Sequence, residues 1–109
     1  MTQKQYDNWL AVVKSPKVRW GQGQLHRVGT TMGGDVIDEY CVWGMYSLAN
    51  TLIRRFFPTA VLMSADECGH VSREQMSHLM RFNDAPRRTR KEVIKEVIRL
   101  HDELVSDEV

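Results

Sequence analysis

Cysteine is scarce in this chain. Only Cys41 and Cys68 stand among 109 residues, too few for a disulfide framework, and a reducing compartment is the expected setting. Long apolar runs are also missing: the most hydrophobic stretch, Cys41 to Ile53, is thirteen residues without a formal charge, whereas a membrane-spanning helix needs roughly 20. That stretch is expected to form a core helix. Neither sign of charge prevails. Fifteen Lys plus Arg face 14 Asp plus Glu for a net charge of +1, so no global field calls for nucleic acid or an anionic membrane. The beginning of the chain carries Lys4 and Asp7 and lacks the apolar core of an export signal, which leaves the cytoplasm as the expected location. With 42% hydrophobic and 27% charged residues, the composition excludes collagenous, low-complexity and disordered classes and fits one hydrophobic core.

Helical spacing dominates what is present. Tyr6, Trp9, Leu10 and Val13 share a face after a Thr2/Gln5 capping box, and Pro16 stops that helix near Ser15. Five of the seven glycines, Gly21, Gly23, Gly29, Gly33 and Gly34, fall between Lys17 and Asp35, a segment that reads as loop with room for a short β-hairpin around Leu25 to Met32. Asp35 then reads as the cap of a second helix, with Asp38 and Glu39 in its first turn, Arg54 and Arg55 at its end and Pro58 beyond. Ile37, Cys41, Leu48, Leu52 and Phe56 would make its apolar line. Gly44 inside it costs about 1 kcal/mol relative to alanine and signals close approach of another backbone or of a ring, Trp20 or Trp9.

Thr59 to Met63 fits a short strand or a connector equally well. Ser72/Gln75 and Thr89/Glu92 are two further capping boxes, the first with Val71 and Met76 placed as a hydrophobic staple. The stripes that follow them are Met76, Leu79 and Met80, and then Val93, Ile94, Val97, Ile98, His101, Leu104 and Val105 in one helix that frays from Ser106. The expected fold is mostly α, a single domain over 1–109 with about four helices.

Three constellations can be weighed for chemistry. Cys41 near a helix start, with His70 or His78 as base and Asn83 as orienter, outlines a cysteine nucleophile, although the thiol also falls on the apolar line where cysteine serves as a small hydrophobe. Cys68, His70, His78 and Cys41 supply zinc-type ligands at spacings that match no established site, so no metal and no cofactor are expected. Arg81, Arg87, Arg88, Arg90 and Lys91 put five cations into eleven residues beside Phe82, with only Asp84 against them. This charged junction can engage an acidic protein surface or phosphates, and solvation is the plain alternative. The acidic end, Asp102, Glu103, Asp107 and Glu108, is a candidate to neutralise it within the chain.

Phe82-Asn83-Asp84-Ala85-Pro86-Arg87-Arg88-Thr89-Arg90-Lys91-Glu92-Val93 resembles the aromatic-N-D-x-P-x-x-T-x-x-E-V box of an uncharacterised family of small bacterial and phage-associated proteins. Arg19-Trp20-Gly21-Gln22-Gly23 looks like that family's R-W-x-x-G segment, and Cys41-Val42-Trp43-Gly44 like its C-x-x-G box. Phe82 replaces the usual Trp, and Met45 follows the glycine where a small residue is usual. The resemblance implies a shared fold over positions 19 to 93 and phage or mobile-element ancestry, hence a bacterial host cytoplasm.

The function expected from these readings is that of a small phage-type accessory protein that binds a macromolecule, foremost a protein, and does no covalent chemistry; an inhibitor of a host or defence protein is of this type. Arg81, Phe82, Asn83, Asp84, Arg87, Arg88, Arg90 and Lys91 are the expected partner-binding residues. A Cys41-dependent enzyme and a nucleic-acid-binding module at the Arg81 to Lys91 junction are the alternatives. No membrane partner is expected, and spacing fixes no oligomeric state.

Overall fold

Local capping signals place the helix starts. In the computed structural model, which describes residues 1–50 and 72–105, α1 (Gln3–Lys14) begins where Thr2 Oγ1 accepts from Gln5 N at 3.1 Å and Thr2 N donates back to Gln5 Oε1 at 2.9 Å. It ends at Ser15, ahead of Pro16. Equivalent reciprocal boxes open α3 (Arg73–Asp84) at Ser72/Gln75 and α4 (Arg90–Arg99) at Thr89/Glu92. All three starts fall where the capping pairs put them.

The segment between α1 and the core helix is β structure. Strands β1 (Arg19–Trp20), β2 (His26–Thr30) and β3 (Val36–Tyr40) form a sheet in the order β1-β3-β2. β1 runs parallel to β3 with Trp20 opposite Tyr40, while β2 pairs antiparallel from His26↔Tyr40 to Thr30↔Val36. The hairpin is therefore longer than Leu25 to Met32, and its turn lies where Thr31 N donates to Asp35 O and Gly34 takes φ +86°. A three-residue hairpin loop with glycine in the left-handed position has this geometry.

This overturns the helical reading of Asp35 to Tyr40. Asp35 N donates to Thr31 Oγ1 within the turn, and Asp38 and Glu39 lie in a strand. The Ile37/Cys41 spacing that suggested a helix is a coincidence across a strand end, where pairing with β2 outweighs the local period.

Helix α2 (Val42–Asn50) starts only after Cys41, and every residue from Val42 to Ser47 is buried. The cause of Gly44 is a backbone, not a ring: a β-carbon there would stand 1.8 Å from the Leu25 carbonyl oxygen. Leu25 O also accepts from Cys41 N at 3.3 Å, which ties the hairpin to the helix start. The expected extension of this helix to Arg54, Arg55 and Phe56, the Pro58 stop, Thr59 to Met63, Val71 and the fraying end from Ser106 lie outside the described residues.

An aromatic cluster forms the centre. Trp9 stacks on Trp43 at 5.0 Å and meets Tyr46 edge-on at 5.6 Å. Three of the rings reach carbonyls: Trp9 Nε1 donates to Val42 O, Trp43 Nε1 to Met76 O and Tyr6 OH to Val97 O, so these are buried with their N–H and O–H groups satisfied. Burial, followed by the nearby Asp7 charge, pushes the Tyr6 phenol above its ordinary pKa.

Leu79, Val93, Val97 and Leu104 complete this core. Met80 and Ile98, expected in it, are 42% and 46% exposed, because each sits about 100° around its helix from a buried neighbour, Leu79 or Val97. The last helix is also not continuous. At Leu100 (φ −86°, ψ 6°) the chain breaks and restarts as α5 (His101–Leu104), a change of direction that accompanies burial of both Leu100 and Leu104. The structure is thus mostly helical, with five helices among the described residues and a small three-stranded sheet.

Candidate functional site

The junction between α3 and α4 is built around Asn83, which is fully buried at the end of α3. Its Oδ1 accepts from Trp20 Nε1 at 2.7 Å and from Val42 N at 3.1 Å. Its Nδ2 donates to Gly21 O at 3.1 Å and to Asp84 Oδ1 at 2.9 Å. Four bonds fill the ordinary capacity of a primary amide. Asn83 therefore joins the end of β1, the first turn of α2 and the end of α3. Asp84 extends the joint by accepting from Gly23 N at 2.9 Å, and Gln22 Nε2 donates to both Asn83 O and Ala85 O at 2.9 Å.

The turn that follows carries the cations. Arg88 N donates to Ala85 O at 3.1 Å across Pro86 and Arg87, and Arg87 has φ +63°. Proline followed by a positive-φ residue is the pattern of a type II turn, in which glycine or asparagine usually fills the second position. Arg87 is exposed there. Arg88 lies 3.7 Å over the Phe82 ring, donates from Nε to Phe82 O at 2.9 Å and pairs with Glu92 at 3.2 Å. Bonds from Thr89 backbone and hydroxyl groups, and then Arg88, hold the Glu92 carboxyl below its ordinary pKa.

Arg90 points inward. Its guanidinium donates from Nε to Val13 O at 2.9 Å, from one terminal nitrogen to Ser15 O at 2.7 Å and Val12 O at 3.3 Å, and from the other to Val18 O. It closes the end of α1, where the last carbonyls keep free acceptor capacity, and burial lowers its pKa. Arg81 donates to Ser77 O at 3.3 Å within its own helix. Arg81, Arg87 and Lys91 are exposed, and none of them has a carboxylate partner among the described residues. A depression of about 340 Å³ beside them is lined by Phe82, Glu92, Lys95, Glu96 and Arg99.

No protein-family model matches the chain, and no curated protein or solved structure shows significant similarity to it. The site is accordingly described by its own geometry.

The Cys41 constellation is described only in part. Cys41 is buried, its Sγ accepts from Gly44 N at 3.5 Å in the first turn of α2, and burial raises its pKa. A buried thiol in this state is a weak nucleophile. His78 reaches Glu96 at 3.9 Å and tilts against the Phe82 ring, with no bond to Cys41. Cys68 and His70 lie outside the described residues. Of the expected acidic neutralisers, Asp102 meets His101 in α5 at 2.9 Å and Glu103 makes no ion pair among the described residues, while Asp107 and Glu108 lie outside the described residues.

The sequence reading missed Trp20, Gln22 and Gly23 as partners of the Asn83-Asp84 pair. They lie 61 to 63 residues away, and no local period connects them. Only the joint occurrence of three short boxes hinted that these segments meet.

Proposed function

We propose that this protein acts by binding a protein partner at the α3–α4 junction, as a small phage-type accessory protein that inhibits a host or defence protein, without covalent chemistry. The observation that carries the reading is Arg87. An arginine held at φ +63° occupies a conformation that glycine adopts at lower cost, and residues kept in such positions cluster at functional sites. Its neighbours Asn83, Arg88 and Arg90 are bonded on several sides, so Arg81, Arg87 and Lys91 are displayed on a braced surface. A braced backbone needs no ordering on docking, which leaves only side-chain freedom to be lost. The R-W-x-x-G, C-x-x-G and N-D boxes of the family that the chain resembles come together at Asn83, in support of one shared scaffold beneath this surface.

The test is capture of a partner from bacterial lysate with and without nuclease treatment, followed by titration of the purified partner. Arg81→Glu with Arg87→Glu and Lys91→Glu should weaken binding by at least roughly tenfold without unfolding the protein. Arg87→Gly should weaken binding while raising stability by up to about 1 kcal/mol. Unchanged affinity in both variants refutes the reading, and capture that depends on nucleic acid transfers the site to the nucleic-acid alternative.

A further inference from the structure

Arg90 brings a second basic segment to the junction. Its guanidinium holds four carbonyls from Val12 to Val18, and that stretch contains Lys14 and Lys17, 70 or more residues from Arg87 and Lys91 in sequence. All four of these side chains are exposed, and none has an ion-pair partner among the described residues. Arg88 in the same turn meets Glu92, and farther off Arg27 meets Glu39 and Arg99 meets Glu96, while Lys4, Arg19, Arg73, Arg81 and Lys95 have no ion pair among the described residues either.

Residues 12–18 and 85–91 together hold six cations and no carboxylate. The remainder of the chain has nine cations against fourteen carboxylates, a net charge of −5. A chain that is nearly neutral as a whole therefore concentrates positive charge in two segments that Arg90 joins. Their boundaries are acidic. Glu92, paired with Arg88, follows Lys91 in α4, Asp84 precedes the turn, and Lys17 itself lines a groove of about 410 Å³ with Arg19, Asp35 and Asp38.

We infer that Lys14, Lys17, Arg87 and Lys91 form one composite docking face around the Arg90 anchor, and that its occupant is a carboxylate-rich patch on a partner protein. This rests on the reading of the junction as a partner-binding site. Charge complementarity selects the partner: a compact basic face bounded by carboxylates matches a compact acidic patch, whose opposite charges steer encounter and fix register. Duplex nucleic acid presents a negative charge about every 1.7 Å along its axis. Such a long polyanion would run past the four cations onto the acidic borders.

The experiment uses two fluorescent probes, a short poly-glutamate peptide and a short DNA duplex of matched charge, with anisotropy read at low and at physiological salt. Three charge-reversal pairs are compared: Lys14→Glu with Lys17→Glu, Arg87→Glu with Lys91→Glu, and a control, Lys4→Glu with Arg73→Glu, at the distant starts of α1 and α3. The first two pairs should each lower peptide affinity by at least roughly tenfold, the control by less than about twofold, and the duplex should bind more weakly than the peptide. Lys14→Gln with Lys17→Gln should give a smaller loss without placing an anion at the end of α1. If both Lys14/Lys17 variants behave as the control while the Arg87/Lys91 pair loses binding, the composite face is overturned and the junction stands. Indifference of the Arg87/Lys91 pair overturns both. Tighter binding of the duplex, or no binding of the peptide, overturns the assignment of an acidic protein surface.

Discussion

Asn83→Ala tests the central joint of the fold. The substitution leaves Val42 N, a buried donor, without its acceptor, at a cost of about 1–3 kcal/mol. Trp20 Nε1 and Gly21 O, both part-buried, lose a partner at about 0.5–1 kcal/mol each where water can replace it. The expected loss is about 3–4 kcal/mol, a large fraction of the roughly 5–15 kcal/mol that holds a domain of this size together. At about 4–8 °C per kcal/mol, the midpoint of thermal unfolding should fall by about 12–32 °C.

Urea unfolding followed by tryptophan fluorescence gives the free energy, and Trp20→Phe in both backgrounds closes a double-mutant cycle. Trp20→Phe should cost at least about 0.5 kcal/mol less once Asn83 is alanine, because it then removes a donor that already lacks its acceptor. A loss below about 1.5 kcal/mol for Asn83→Ala, or strictly additive costs, would show that Asn83 does not join the three elements.

Two other substitutions address the remaining signals. Gly44→Ala gains about 1 kcal/mol of helix propensity but drives a β-carbon to 1.8 Å from the Leu25 carbonyl oxygen, and a net loss of about 2–3 kcal/mol is expected from overpacking. Gly29→Ala is the internal control: its β-carbon meets Ile37 at an ordinary 3.5 Å, so stability should move by no more than about 0.5 kcal/mol, and equal effects at both glycines would contradict the close approach. In a Cys68→Ser background, Cys41 should react with iodoacetamide at least about 100-fold more slowly in the folded protein than in denaturant. Because burial raises its pKa above the ordinary 9.0, the folded state keeps the proton longer, and the stability this provides should decline as pH rises above 9.0. Rapid alkylation of the folded protein at neutral pH would revive the nucleophile.

Residues 2–5, 72–75 and 89–92 fixed three helix starts from the sequence alone, because a capping box is closed by groups three positions apart and needs nothing distant. Pro16 and the left-handed Gly34 acted within their own turns for the same reason. The buried thiol at Cys41 and the close approach at Gly44 were legible as features, but not the Leu25 carbonyl that explains the glycine. Tertiary structure decided what depends on partners remote in the chain. Val36 to Tyr40 became a strand because β2 and β1 flank it. Asn83 became a joint because Trp20, Gly21 and Val42 converge on its amide. Arg90, one of the five cations from Arg81 to Lys91, turned inward because carbonyls at the end of α1 keep acceptor capacity for it, and the same bonds carry Lys14 and Lys17 to the junction. Hydrogen-bonding capacity is written in each residue, whereas the choice of who fills it is made only when the chain closes on itself.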